Sequence, residues 1–295
     1  MSSRLHEVKF VQKDRPVVSF SVLREDEIHP IVSGNKWRKL KYPLLKAKKN
    51  GTEVLVTFGG AYSNHIAATA FAAKVSGLRS IGLIRGHELQ VENSTLKTAQ
   101  ENGMQLQFVD RSAYRENKQK LIEDLGLKEA FMVIPEGGAS LLGVKGCEEI
   151  LDERMEKYTH ISCSAGTGTM AAGLLKSLRS GQVLEVYSAL KGHFLWQDIE
   201  KMAGINADRL RLTDAYCFGG YAKTDDALFS FMRAFYDQTG IPLDPVYTAK
   251  FFYGVIQDMY EGTLPKEGRV LAIHSGGLQG IAGIEKRDEV TLFDI

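Results

Sequence analysis

The sequence of 295 residues has little cysteine, no excess of either charge and no long hydrophobic run. Its three cysteines, Cys147, Cys163 and Cys217, are far apart and form no metal-ligand pattern. So small and odd a number argues against a disulfide framework and against a zinc site, and it indicates a reducing compartment. We therefore expect a cytoplasmic protein without a bound metal.

The charge balance limits the possible partners. Lys and Arg number 37 and Asp and Glu number 36, so the net charge is +1. This gives no strong field to attract nucleic acid or an anionic membrane, and we expect neither as a partner. The apolar runs are too short to span a membrane, and the polar N-terminus shows no signal peptide. The length allows one large or two medium domains.

What the sequence does contain is a repeated alternation of strand and helix patterns. Strands are predicted at 17–23, 53–58, 80–85, 105–109, 131–134, 160–164, 183–187 and 269–274. Helices are predicted at 37–49, 66–75, 94–101, 113–125, 170–178, 224–239 and 249–261. This spacing is typical of βαβ units and a parallel sheet. It predicts an α/β fold of two lobes with a cleft between them.

The first candidate site is the stretch 33–40, Ser-Gly-Asn-Lys-Trp-Arg-Lys-Leu, which leads into a predicted helix. Lys36 falls in the first helical turn, near the positive end of the helix dipole, where a protonated amine is disfavoured. A lysine whose neutral form is favoured can act as a Schiff-base nucleophile. The alternative is a solvated basic face shared with Arg38, Lys39 and Lys41, and these eight residues alone favour that alternative.

A second candidate is the small-residue turn that follows the strand at 160–164. Its members are Ala165, Gly166, Thr167, Gly168 and Thr169. Small residues let the backbone fold tightly, so N–H groups and hydroxyls can converge on an anion at the helix N-terminus. No P-loop lysine follows, and Ala171 stands where the dinucleotide fingerprint needs its third glycine. The turn predicts a site for a single phosphate, and the alternative is a tight turn whose glycines serve packing.

Two further groups stand at element boundaries. Ser63, Asn64 and His65 follow the strand at 53–58, where ligands bind in open α/β sheets. They predict a carboxylate or cofactor-oxygen site, although Ser63 can equally be a simple helix cap. The other group comprises Tyr221, Asp244-Pro-Val-Tyr247-Thr248-Ala-Lys250 and His274-Ser275-Gly-Gly. Lys250 has as good a claim as Lys36 to be a reactive lysine, and spacing does not choose between them.

Taken in order, these motifs resemble those of one family. Ser-Gly-Asn-Lys36-x-Arg-Lys-Leu, Gly-Gly-x-x-Ser63-Asn64-His65, Gly-Thr-Gly-Thr, Asp-Pro-Val-Tyr247 and His-Ser-Gly-Gly occur co-linearly over about residues 24 to 280. This order is similar to that of the 1-aminocyclopropane-1-carboxylate deaminase/D-cysteine desulfhydrase family of pyridoxal-phosphate enzymes. The resemblance implies fold type II, with two open, twisted, mostly parallel α/β domains and the cofactor cleft between them. It also implies a homodimer.

The resemblance further implies domain limits and cofactor contacts. Residues 1–38 with 141–295 are expected to form the large, cofactor-binding domain, and residues 39–140 the small one. Lys36 is expected to hold pyridoxal 5′-phosphate and then act as general base at the substrate α-carbon, whereas Lys250 is expected at the surface. The remaining cofactor contacts implied are Asn64 at the ring hydroxyl, Tyr247 at the pyridine ring, Thr248 or Ser275 at its nitrogen, and Ala165, Gly166, Thr167, Gly168 and Thr169 at the phosphate.

The same resemblance implies that a small amino acid is the substrate. Ser63, Asn64 and His65 are expected to bind its carboxylate, Tyr221 to face it, and Ser63, Tyr221 and Tyr247 to join Lys36 in catalysis. The sequence departs from the deaminases at Thr248, where they have Glu, and at Ser275, where they have Leu. Because a hydroxyl cannot hold a full charge at the pyridine nitrogen, we expect β-elimination from D-cysteine and not cyclopropane opening. The alternatives are the deaminase itself and a non-catalytic phosphate-binding α/β protein.

Overall fold

The chain forms ten strands and eleven α-helices, besides five short 3-10 helices, in the residues that the computed structural model describes, 3–87, 93–192 and 194–293. The strands are β1 (Arg4–Phe10), β2 (Val18–Arg24), β3 (Val54–Gly60), β4 (Arg79–Arg85), β5 (Met104–Val109), β6 (Phe131–Ile134), β7 (His160–Ala165), β8 (Val183–Ser188), β9 (Leu210–Thr213) and β10 (Val270–Ile273). The helices are α1 (Asn35–Lys49), α2 (Asn64–Val75), α3 (Ser94–Glu101), α4 (Arg111–Glu116), α5 (Lys118–Glu123), α6 (Leu141–Cys147), α7 (Thr169–Ser177), α8 (Phe194–Ala203), α9 (Asp226–Thr239), α10 (Thr248–Glu261) and α11 (Ile281–Asp288).

These strands make two separate sheets. The larger has the order β1-β2-β10-β7-β8-β9, and every neighbouring pair except β1 with β2 is parallel. The smaller has the order β5-β4-β3-β6 and is parallel throughout. Parallel strands covered by helices on both faces are buried along their length, as β3 is from Val54 to Phe58. The predicted α/β fold of two mostly parallel units is confirmed.

Two apolar layers enclose the larger sheet. One is rich in aromatic side chains and centres on α9 and α10, with Phe235, Phe251 and Phe252 fully buried. The other packs α6, α7 and α8 against the opposite face, where Cys147 and Cys163 lie buried as free thiols. The helices therefore pack against both faces of the sheet and fix the positions of the carboxyl ends of β7 and β10. The loops that leave those ends carry two of the candidate motifs.

The structure refines several predicted elements. Helix α1 begins at Asn35, two residues before the predicted start, so Lys36 does lie in its first turn. The N-terminal strand β1, the short strand β9 and helices α6, α8 and α11 were not predicted, and the single helix predicted at 113–125 is two helices, α4 and α5. Strand β1 is antiparallel to β2 and carries polar residues on an exposed edge, so it lacks the apolar run of the parallel strands. The domain limits at 38/39 and 140/141 stay a prediction. None of the helices within the described ranges has the length and apolar character needed to cross a membrane.

Candidate active site

The Lys36 turn is built against the loop after β10. Gly34 has φ +62°, and a Cβ on it would lie 1.8 Å from the carbonyl oxygen of Ser275, so only glycine fits without rearrangement. The backbone N–H of Asn35 donates to that same oxygen at 3.1 Å. Lys36 therefore follows directly after a contact between the two loops, and the structure brings the first and last predicted motifs together.

The amine of Lys36 is partly buried and nearly without partners. Its Nζ donates to Oδ1 of Asn35 at 3.0 Å, and no carboxylate of the described chain lies within ion-pair distance. Burial lowers the pKa of Lys36 well below 10.5, and the nearby charge of Lys39 lowers it further. The neutral amine that a nucleophile requires is thus favoured chiefly by desolvation. The predicted alternative, a solvated basic face, is wrong for Arg38 and Lys39, which are both buried.

Lys39 is a site residue that the sequence interpretation missed. Its Nζ donates to the carbonyl of Gly137 at 3.2 Å and to Oγ1 of Thr167 at 3.5 Å. Burial lowers the pKa of Lys39 below its ordinary value. The available signal was its spacing, because residues three apart on a helix share a face, and Lys39 is three residues after Lys36.

The small-residue turn has the form expected of an anion cradle. Strand β7 ends at Ala165 and α7 begins at Thr169, with Gly168 between them in the left-handed region at φ +73°. The hydroxyls of Thr167 and Thr169 lie 3.0 Å apart, on the side approached by Lys39. Backbone N–H groups at a helix N-terminus, two hydroxyls and one ammonium group together suit a phosphate.

Ser63 and Asn64 present polar atoms that the protein itself leaves unused. Ser63 occupies the N-cap position of α2, yet its side chain makes no capping hydrogen bond. The Oδ1 atom of Asn64 is buried and has no partner among the described residues. Buried acceptors without a partner are uncommon, so this oxygen is free to accept from a bound ligand or an ordered water. The simple helix-cap alternative for Ser63 therefore does not describe what its hydroxyl does.

His65 lies deeper than its two neighbours and is only 1% exposed. Its Nε2 is 2.9 Å from Oγ1 of Thr57, whose own hydrogen is donated to the carbonyl of Ile134. Nε2 therefore carries the proton, and Nδ1 is an acceptor without a partner in the described chain. Burial lowers the pKa of His65 well below 6.5, so the ring is neutral. As placed, the imidazole offers a substrate carboxylate no hydrogen.

Two tyrosines flank the cradle. The ring of Tyr247 lies against Gly166, where an added Cβ would be 2.8 Å from Cε1. The ring of Tyr221 meets it edge-on at a centroid distance of 6.0 Å and is 52% exposed. Burial raises the pKa of Tyr247 well above 10, so this residue stays protonated. Tyr247 thus forms a wall of the site, and Tyr221 stands at its rim.

The two hydroxyls proposed for the pyridine nitrogen differ in their surroundings. Ser275 Oγ is buried and lies 3.2 Å from Oγ of Ser164. The Thr248 hydroxyl is within 2.7 Å of the Asp244 N–H and 3.1 Å of the Asp244 carboxylate, so it is already used inside its own turn. The carboxylate of Asp244 also accepts the N–H groups of Val246, Tyr247 and Thr248.

Lys250 is not the surface residue that the resemblance implied. It is 2% exposed, and its Nζ donates to the carbonyls of Cys217 and Gly220 at 2.9 and 2.7 Å. That prediction is wrong because Lys250 lies on the inner side of α10, among its buried residues. The two carbonyl acceptors hold its amine in place, although burial lowers the pKa of Lys250 to about 8.

The site as a whole fits pyridoxal phosphate. The cradle suits its phosphate, the partly buried amine of Lys36 suits its aldehyde, and the unpartnered Oδ1 of Asn64 can accept from its ring hydroxyl. Tyr247 provides a ring face beside the cradle. These are the groups that this cofactor needs, set around one point at the strand ends.

The chain matches the family model described as pyridoxal-phosphate dependent enzyme over residues 5–276. It belongs to that family and is a pyridoxal-phosphate dependent enzyme of fold type II, as predicted. A putative 1-aminocyclopropane-1-carboxylate deaminase of Pyrococcus horikoshii is 32% identical over 282 residues, covering 88% of this chain and 84% of its own. D-cysteine desulfhydrase of Salmonella typhi is 29% identical over 292 residues, covering 86% of each.

A solved structure supports the same placement. The crystal structure of an ACC deaminase homologue superposes with a TM-score of 0.82 at 26% identity, covering 98% of this chain and 94% of the other. Membership of this family favours an enzyme over the non-catalytic phosphate-binding protein considered from the sequence. The relatives carry two different activities in their names, so the substrate is a separate question.

Proposed function

We propose that this enzyme catalyses β-elimination from a small D-amino acid, D-cysteine first. The products are pyruvate, ammonia and hydrogen sulfide, and one water is consumed for each D-cysteine. The observation that carries the proposal is the buried hydroxyl pair of Ser275 and Ser164, 3.2 Å apart beside the loop that contacts Asn35. A hydroxyl at the pyridine nitrogen exchanges hydrogen bonds but does not hold a full positive charge there.

This difference bears on which bond can be broken. Pyridoxal phosphate, when bound, supplies an electron sink for the reaction at the substrate α-carbon. A carboxylate partner strengthens that sink, but the buried carboxylate of Asp244 is occupied by its own turn. A hydroxyl partner leaves the sink milder. A mild sink is enough to expel a thiolate, whereas opening a cyclopropane ring demands a stronger one.

Lys36 performs two tasks in this proposal. It holds the cofactor and, once displaced by the substrate amine, takes the α-proton on Nζ. Both tasks require the neutral amine, and burial favours that form by lowering the pKa of Lys36. Lys39 is kept for the phosphate end, because its Nζ already reaches Thr167.

The start of α2 binds the substrate carboxylate. Ser63 contributes its uncapped hydroxyl, beside the backbone N–H groups that the start of a helix leaves without intrahelical partners. We assign His65 to this site through its backbone N–H, since its ring faces Thr57. Asn64 accepts from the cofactor ring hydroxyl through Oδ1. In this proposal the hydroxyl of Ser63 also passes a proton to or from the substrate.

The two tyrosines act at the opposite side of the substrate. Tyr247 stays protonated and lies against the cofactor ring, where it excludes water from the cradle. Tyr221 faces the substrate from the rim and is the group that can donate a proton to the departing sulfur. Thr248 stabilises the turn that carries Tyr247.

The second candidate is 1-aminocyclopropane-1-carboxylate deamination. It is favoured by the names of the Pyrococcus horikoshii relative and of the solved homologue. The two reactions share the substrate carboxylate site and the lysine, and they differ in the first bond broken. A direct comparison of turnover therefore separates them.

The test is a panel assay on the purified holoenzyme. Keto-acid and sulfide release are measured with D-cysteine, L-cysteine, β-chloro-D-alanine, D-serine and 1-aminocyclopropane-1-carboxylate. D-cysteine is expected to have the highest kcat/KM among the natural substrates. Ser275→Thr is the matched control that keeps a hydroxyl, and Ser275→Ala removes it. Faster turnover of the cyclopropane amino acid than of D-cysteine contradicts the proposal.

We also propose a homodimer in the cytoplasm. The dimer rests on the family resemblance, and the compartment rests on three cysteines that are all free and buried. Sedimentation equilibrium of the holoenzyme measures the first. A monomeric mass at micromolar concentration contradicts it.

A further inference from the structure

The loop that carries Tyr221 has an unusual backbone. Phe218, Gly219, Gly220 and Ala222 all have positive φ, at +50°, +86°, +118° and +53°. Two of these residues are not glycine, and L-residues adopt this region only when the surroundings hold them there. A specific set of contacts must therefore fix the segment 217–222.

Lys250 supplies the central contact. The carbonyl of Cys217 accepts the backbone N–H of Gly220 at 2.9 Å, and the carbonyl of Gly220 accepts the N–H of Lys223 at 3.2 Å. These are the same two carbonyls that accept from Nζ of Lys250. The ammonium group of Lys250 thus donates one charge-assisted hydrogen bond to each of two successive turns and joins them.

The other end of the loop is held separately. The guanidinium of Arg287 in α11 donates to the carbonyl of Ala222 at 2.8 Å and to the hydroxyl of Thr224 at 2.6 Å. Arg287 is also paired with Asp288. Lys250 is therefore the contact on the cleft side, and Arg287 is the contact on the outer side.

Lys250 also links this loop to the proposed cofactor site. It lies three residues after Tyr247, and thus within one turn of it at the start of α10. Tyr221 follows Gly220, one of the two carbonyls that Lys250 binds. The ammonium group consequently fixes the position of Tyr221 relative to Tyr247. The centroids of the two tyrosine rings lie 6.0 Å apart.

We propose that Lys250 is a positioning residue, which holds the strained 217–222 loop to α10 so that Tyr221 stays over the substrate side of the cleft. The proposal rests on the proposed function for the role of Tyr221. The attachment of the loop to α10 by Lys250 does not depend on that function and is tested separately. Because its protons go to two carbonyls, Lys250 is not a second cofactor lysine.

The structural part is tested through the thiol of Cys217, which is 4% exposed and lies at the start of the loop. Holoenzyme without substrate is treated with a thiol reagent, and modification of each cysteine is followed by peptide mass spectrometry. In Lys250→Met the reagent is expected to modify Cys217 about tenfold faster than in wild type, because the loop opens more often. Lys74→Met is the matched control, since Lys74 is exposed and donates to a single carbonyl, that of Glu101. Unchanged modification of Cys217 in Lys250→Met overturns the proposal.

The substrate part is tested with D-cysteine. Lys250→Met is expected to raise KM about tenfold with a smaller change in kcat, while the visible absorbance of the bound cofactor is retained. In a Tyr221→Ala background the same substitution is expected to leave KM unchanged, because the positioned group is already absent. A full second rise in KM overturns the link to Tyr221.

Two further outcomes keep the proposal open to refutation. If Lys250→Met is insoluble, Lys250→Gln is used in its place. Cys217 is expected to be modified faster in Lys250→Gln than in wild type, because the amide lacks the charge of the ammonium group. Wild-type modification in Lys250→Gln overturns the proposal. Absence of D-cysteine turnover in wild type, with fast Cys217 modification in Lys250→Met, contradicts the proposed function and leaves the loop attachment supported.

Discussion

Lys36 and Lys250 occupy almost the same place in two helices. Lys36 is the second residue of α1 and Lys250 the third residue of α10, and both helices begin at the site. Burial lowers the pKa of both, to about 8 for Lys250. They differ in their partners, because Lys36 meets one side-chain amide whereas Lys250 meets two backbone carbonyls.

The difference shows that burial alone does not make a lysine reactive. Two carbonyl acceptors hold the amine of Lys250 in place and offset only part of the cost of burying its charge. Lys36 has neither a carboxylate nor a backbone carbonyl at hydrogen-bond distance within the described chain, and the charge of Lys39 adds repulsion. Its neutral form is left free to attack a carbonyl carbon. The predictions below test this contrast.

The largest effect is expected from removing each amine in turn. Lys36→Ala should abolish the visible absorbance of bound pyridoxal phosphate and lower kcat by at least about 10²- to 10⁴-fold, since it removes the general base. Lys250→Ala should keep the absorbance. Borohydride reduction followed by peptide mapping should place the cofactor on Lys36 alone. A cofactor label on Lys250 contradicts the assignment of Lys36 as the reactive lysine.

The second effect concerns the turn that presents Lys36. Gly34→Ala places a Cβ 1.8 Å from the Ser275 carbonyl oxygen at φ +62°, so we expect a loss of at least about 1–2 kcal/mol of stability and a weaker affinity for the cofactor. Gly280→Ala is the control, because nothing lies within 4 Å of its added Cβ and its φ is −74°. Thermal unfolding and cofactor titration measure both variants, and equal behaviour of the two argues against the requirement at Gly34.

Much of the site was predictable because its motifs are local. In a parallel sheet the carboxyl ends of strands meet at one edge, so the turns after the neighbouring strands β7 and β10, which hold Gly166 and Ser275, lie side by side. Ser63 follows β3 of the other sheet. The alternation of strands and helices predicted the α/β fold, because this pattern is also read from neighbouring residues. Lys36 was selected by resemblance, since its residues alone favoured a solvated face.

The remainder depends on contacts between distant parts of the chain. Lys250 binds carbonyls 33 and 30 residues away, and a backbone carbonyl leaves no trace in residue type. Lys39 meets Thr167 from 128 residues away, across the two sheets. The ring of His65 is turned inward by Thr57, although its position beside Asn64 suggested an open polar site. Strand β1 has exposed polar residues on an edge, so its pattern resembles a charged tail.

A third prediction sharpens the contrast through the pH dependence of cofactor attachment. The protonated amine of Lys36 cannot attack an aldehyde, so the attachment rate should rise with pH through the pKa of Lys36 and level off above it. Because burial holds that pKa well below 10.5, the plateau should be reached at a lower pH than for a free lysine. Stopped-flow absorbance of apoenzyme mixed with pyridoxal phosphate measures the rate. A rate still rising at pH 10.5 contradicts the assignment.

The smallest effect near neutral pH is expected in the pH dependence of stability that arises from Lys250. Its pKa is about 8 in the folded protein and about 10.4 when unfolded, so between these values the unfolded state binds more protons. The free energy of unfolding therefore gains a contribution that is absent below pH 8 and grows to roughly 1–3 kcal/mol by pH 10.5. Denaturant unfolding of wild type and Lys250→Met at several pH values should show their difference rising in favour of wild type across that window. Lys250→Arg, which stays protonated throughout, should show the same rise, and a flat or falling difference means that the protein solvates this ammonium as well as water does.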